Sequence, residues 1–144
     1  MSAEESKAAV GRFIEHVFVK RRTDGLSEVA TSDFVPHSWP GVNPGLENLK
    51  QVMEKVAAVD KSDHSIKVED LFAEGDKVAA RLTLHVVHHG DFFGIPAAGK
   101  EHTISETHIF YVRDGKVSEH WRDADNLGMM KQLGAFPAPE KKAP

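Results

Sequence analysis

Cysteine is missing from the chain altogether. That excludes disulfide scaffolding, thiolate nucleophiles, and zinc or iron–sulfur sites built on sulfur. Long apolar runs are missing too, and nothing approaches the roughly 20 residues that a membrane-spanning helix needs. The first ten residues, MSAEESKAAV, are acidic and hold no apolar signal core, so export by that route is not expected and a soluble cytoplasmic protein is. Basic clustering is confined to Lys20-Arg21-Arg22 and the formal charge is -4, so no nucleic-acid footprint is present. GxGxxG, P-loop, GxSxG and helical HExxH signatures are likewise absent.

What is present suits one domain. The 144 residues are 40% hydrophobic, enough for a single core over 1–144, with a loose tail expected from about residue 137. Ser2 to Lys20 reads as a helix whose Ala9, Val10, Phe13, Ile14, Val17 and Phe18 recur at spacings of three and four. Leu26 to Ala30 reads as a short second helix. SDFVPHSWPGVNPG holds three prolines and two glycines and reads as a shaped loop carrying His37 and Trp39. Leu46 to Val59 resumes helical spacing. Strand patterns then run over 65–73, 77–89, 102–112 and 117–123, with Asp114-Gly115 as the strongest hairpin signal. Helices first and about four antiparallel strands afterwards predict an α+β fold, a curved sheet packed on segregated helices.

The final third carries the chemistry. In 102–112 one side of the strand shows His102, Ile104, Glu106, His108, Phe110 and Val112. Imidazoles and a carboxylate among apolar residues are tolerable only where the face lines a ligand- or water-filled pocket. In 117–123, Val117, Glu119, Trp121 and Asp123 share a side, and regular pairing brings that side onto the first unless a bulge intervenes. Asp125 follows Trp121 by four residues. It reads either as a general base raised by an aromatic wall or as the cap of the segment beginning at Asn126. Trp39, Phe92 and Phe93 read either as walls of a pocket mouth or as core. A metal is not expected. His88 and His89 point to opposite faces, and His85 and His89 lie about 13 Å apart along one face. Only a convergence of His37, His88 and His108 with Asp125 stays open.

These blocks resemble the SnoaL-like polyketide cyclases of the NTF2-like superfamily over most of the chain. The resemblance rests on PHSWPG, HHGDFFGIPAAGK, ETHIFYVRDGKVSEHW and WRDADNLGMMKQLG. It implies a cone-shaped α+β barrel, a curved antiparallel sheet wrapped around N-terminal helices and enclosing an apolar cavity. It implies an acid/base enzyme without metal or organic cofactor, performing intramolecular aldol condensation or isomerisation on an apolar, carbonyl-bearing small molecule. The acid/base aspartate falls on Asp125, with His108 (where many relatives have Asp) and His88 as catalytic partners. His37, Trp39, Arg81, Phe92, Phe93, Glu106 and Trp121 are the expected substrate contacts. A homodimer is usual for such proteins, paired through the face of Thr103, Thr107, Ile109 and Tyr111. The family's other members keep three alternatives open: a non-catalytic ligand-binding module, a ketosteroid-isomerase-like enzyme and an epoxide-hydrolase-like enzyme. For the last, Arg81 and Arg122 do not obviously supply the arginine of an Asp-Arg-Asp arrangement.

Overall fold

The computed structural model describes residues 2–136, so the tail expected from about 137 lies outside the described residues. Helix α1 (Ala3–Phe13) begins at Ser2, whose hydroxyl accepts from the Glu5 amide at 3.1 Å and donates to the Glu5 carboxylate at 3.0 Å. Its buried stripe is Ser6, Ala9, Val10 and Phe13. The helix continues as a π-helical segment, Ile14–Val19, closed by the Lys20 amide donating to the Glu15 carbonyl five residues back. A 3₁₀ turn follows at Leu26–Glu28, then β1 (Ala30–Pro36), α2 (Leu46–Val59), β2 (Ser62–Glu74), β3 (Lys77–His88), β4 (Glu101–Arg113), β5 (Lys116–Ala124) and α3 (Asn126–Gln132). Among the described residues no helix is long and apolar enough to cross a membrane.

The strands form one sheet in the order β1-β5-β4-β3-β2. This corrects the expected barrel: β1 and β2 are two separate edges, and the sheet stays open. It is not wholly antiparallel either, because β1 runs parallel to β5. β1 begins at Ala30, the last residue of the expected short helix, and takes in the first five residues (32–36) of the stretch read as a loop from its prolines. Pro36 is tolerated there because it ends an edge strand, where a missing amide breaks no ladder. The β4–β5 hairpin turns on Asp114 and Gly115, both at positive φ (53° and 76°), the mirror-image turn that matches strand twist.

Helix α1 lies across the inner face of β2–β5. The apolar alternation of β3 (Val78, Ala80, Leu82) and β4 (Ile104, Phe110, Val112) meets it there. The densest part is aromatic: Phe13 lies 5.5 Å from Phe18, 5.7 Å from Phe34 and 5.6 Å from Phe110, ring centre to ring centre. Phe110 is completely buried and also flanks the rings of His108 and His120. Replacing it with Ala removes a side chain that rigid sheet neighbours cannot refill. Phe110→Ala is expected to cost about 3–5 kcal/mol, read as a lowered urea midpoint at unchanged slope.

Candidate active site

The face prediction for β4 holds, while that for β5 inverts. Tyr111 pairs with Glu119, yet Val112 pairs with Val117, so Ser118 is an extra residue, its hydroxyl donating to the Tyr111 carbonyl at 3.1 Å. This bulge turns His120 and Arg122 inward, opposite Phe110 and His108, and sends Glu119, Trp121 and Asp123 outward. Sequence reasoning missed His120 and Arg122 for this reason. The alternation was legible, but the one-residue slip that reverses it carries no signature in the local sequence.

Inward, four polar side chains form a continuous chain. His108 Nε2 lies 2.9 Å from Glu106 Oε1, and His108 Nδ1 lies 2.7 Å from His120 Nε2. Arg122 donates its Nε to Glu106 Oε2 at 3.1 Å, and its Nη2 makes a second, shorter bond to the same oxygen. Glu106, His108 and His120 are buried; Arg122 is about one-third exposed (31%). All four line a cavity of about 580 Å³ whose other walls are largely apolar: Phe18, Trp39, Met53, Ile66, Leu84, Phe92 and Met129 among them.

The electrostatics follow from this geometry. Burial works to raise the Glu106 pKa, but the hydrogen bonds from His108 and Arg122 and the guanidinium charge outweigh it, so the carboxyl is held below its usual range. Burial, reinforced by the neighbouring His108 and Arg122, pushes His120 down to about 3. An ionised Glu106 only accepts, so His108 Nε2 carries a proton; in the tautomer with that proton alone, His108 Nδ1 accepts from the His120 Nε2–H. The other nitrogen of His120, Nδ1, has no partner among the described residues, and its ring faces the cavity.

The remaining expected residues divide sharply. Trp39, Phe92, Phe93, Glu106 and His108 line the cavity. Asp125 does not: it is exposed and caps α3, accepting the Gly128 amide at 2.9 Å. A Cβ at Gly128 would stand 2.2 Å from Asp125 Oδ2, so the cap needs that glycine. His88 is buried against His102 (2.8 Å, Nε2 to Nδ1) under Phe92 and is absent from the cavity lining. Its position at the end of β3 puts it beyond the polar chain. His37 and Trp121 stack on each other at 4.1 Å on the outer side of the sheet, where His37 also meets Glu119 at 2.9 Å. Arg81 is held by Asp70 at 2.7 Å on that same outer side, because its neighbours Ala80 and Leu82 take the inner one. His37, His88 and His108 therefore do not converge. Among the described residues no group of three or more His, Asp or Glu is arranged to hold a metal.

Two outcomes follow. Asp125→Ala is expected to lower stability by about 1 kcal/mol, seen in urea unfolding, with ligand affinity of the cavity unchanged. The second concerns pH. Both His120 and Glu106 have folded pKa values below their ordinary 6.5 and 4.5, so folding favours their deprotonated forms. Their contribution is complete above those values and is lost as pH falls through the folded ones. Unfolding free energy is expected to fall as pH drops from 6.5 towards about 3, and His120→Phe should flatten that slope. His88 and His102, both lowered chiefly by burial, leave a residual slope of the same sign.

With this geometry in view, the comparisons agree in one direction. The family model described as SnoaL-like polyketide cyclase matches residues 8–133. The chain is 37% identical over 136 residues to aklanonic acid methyl ester cyclase DauD of Streptomyces sp. (strain C5), covering 85% of this chain and 83% of that protein. It is 25% identical over 115 residues to nogalonic acid methyl ester cyclase of Streptomyces nogalater, covering 78% and 86%. Among solved structures, TsrD from Streptomyces laurentii superposes with a TM-score of 0.78 at 27% identity, over 94% of this chain and 99% of that one.

Proposed function

This chain belongs to the SnoaL-like polyketide cyclase family, and we propose that it is a cofactor-independent acid/base enzyme that closes a ring in an apolar, carbonyl-bearing small molecule by intramolecular aldol addition. The observation that carries the reading is the buried chain Arg122–Glu106–His108–His120 at the wall of an otherwise apolar cavity. A folded core gains nothing from burying an ion and two imidazoles in a row; a base that must work away from water does.

The base in this mechanism is the pair of histidines, in place of Asp125. A carbon flanked by carbonyls gives its proton to His120 Nδ1. The Nε2 proton of His120 passes to His108 Nδ1, and the resulting imidazolium is held by Glu106 through Nε2–H. His120 alone, at about 3, is a weak base. Coupled to His108 it places the positive charge next to the carboxylate, where the charge is stabilised. The enolate carbon then attacks a second carbonyl of the same molecule and forms the new C–C bond. The alkoxide recovers the proton by the reverse relay, so substrate and product have the same atoms. Arg122, part of it open to the cavity, is the donor this reading assigns to the developing oxyanion. The apolar walls fold the substrate and exclude water.

The 37% identical relative is named for aklanonic acid methyl ester, which makes that compound the first substrate to assay. Conversion followed by chromatography is expected for the native chain. Glu106→Gln and His120→Phe should each lower kcat by about a hundredfold or more, with circular dichroism unchanged. Full rates in both variants would remove the relay from the reaction.

A further inference from the structure

The cavity has a second polar region that the relay does not use, and we infer that Arg21 and His64 bind a hydroxyl group at the substrate end remote from the reacting carbonyls, making them specificity-determining residues of this site. The inference rests on the cavity being the substrate site and deepens that reading. Arg21 and His64 both line the cavity. Arg21 Nη1 is anchored to Asp60 Oδ2 at 3.0 Å; the Asp60 side chain is 8% exposed and also accepts from Ser62. One carboxylate contact leaves most of the five guanidinium donors free. His64 Nε2 sits 2.9 Å from the Phe18 carbonyl, an acceptor only, so that nitrogen carries a proton, and in the tautomer with that proton alone Nδ1 is an acceptor. Each held by one anchoring contact at the cavity wall, the two residues together supply a donor and an acceptor, the complement of a phenolic or enolic hydroxyl.

The backbone supports a recruited role for Arg21. It follows the π-helical segment and has a φ of 50°, a left-handed conformation that a long side chain seldom adopts. The wide π turn lets Phe13 face the core while Phe18 and Arg21, five and eight residues further on, reach the cavity. Because Asp60 already neutralises Arg21, the hydroxyl it meets is uncharged; a carboxylate would be repelled by Asp60 at the same place.

The test uses binding, so it stands whether or not turnover is found. Benzophenone, 3-hydroxybenzophenone and 3-carboxybenzophenone are titrated into the full chain, with quenching of Trp39 as the readout; Trp121→Phe serves as the background, since Trp121 lies outside the cavity. The hydroxy ketone is expected to bind about tenfold more tightly than benzophenone, and the carboxylate no more tightly than the hydroxy ketone. Arg21→Gln combined with Asp60→Asn, which avoids stranding a buried charge, and separately His64→Phe, should each erase the tenfold preference while benzophenone affinity stays within about twofold. Glu106→Gln should keep the preference. Equal affinities in the native chain, a preference that survives both Arg21 and His64 changes, tighter binding of the carboxylate, or loss of the preference in Glu106→Gln would each overturn the assignment. A failed cyclisation assay with the preference intact would count against the relay alone.

Discussion

A carboxylate held under a sheet is the constraint on which this molecule is organised. Glu106 is 6% exposed, and an isolated ion there would cost several kcal/mol. Two donors, His108 beside it on the same strand and Arg122 across the strand pair, make the burial tolerable. Removing either leaves the charge stranded. That requirement fixes the register of β4 against β5, because only a pairing with His108 opposite Arg122 brings the guanidinium to Glu106. It also explains why β5 slips by one residue at Ser118: regular alternation would place Trp121 inside and leave the carboxylate without its arginine.

The remainder of the fold serves that placement. Helix α1 and its aromatic cluster close one end of the inner face, with Phe13 against both Phe34 and Phe110. The other end is left unfilled by α2 and α3, whose Met53, Met129 and Met130 line the hollow without filling it. Methionine is flexible enough to adapt to ligands of differing shape. The polar chain therefore sits at the seam between a solid half and a hollow half, with Phe18 touching both: its ring is 5.5 Å from Phe13 and 5.1 Å from His108.

How far the sequence foretold this depends on which physical signal each element carries. The helices, the four long strands and the inner face of β4 follow from periodicity, because burial repeats every 3.6 or 2 residues and the side chains record it. Strand β1 was hidden because Pro36 and the nearby glycines speak of loops, and only its edge position and pairing with β5 make it a strand. His120 and Arg122 were hidden because a bulge is decided by tertiary pairing. Asp125 was read in two ways, and the local one holds: a carboxylate before a helix meets free amides whatever else surrounds it. The family likeness gave the cavity and put its acid/base aspartate on Asp125, a residue that lies outside the cavity lining because it is engaged in capping α3. The closed barrel it implied gives way to an open sheet with two edges.

The outward turn of Trp121 has an effect on the opposite surface of the sheet. Its indole lies flat on His37, whose amide donates to the His120 carbonyl at 2.8 Å, while the next residue, Ser38, receives the Arg122 amide at 2.6 Å. The segment after β1 is thereby riveted to β5 from behind, and Trp39, one residue further, projects into the hollow from a fixed anchor. That wall is as stiff as the strand it is fastened to, so any widening of the chamber to admit a bulkier guest falls to the side opposite, where methionines and the Phe92–Phe93 corner can give.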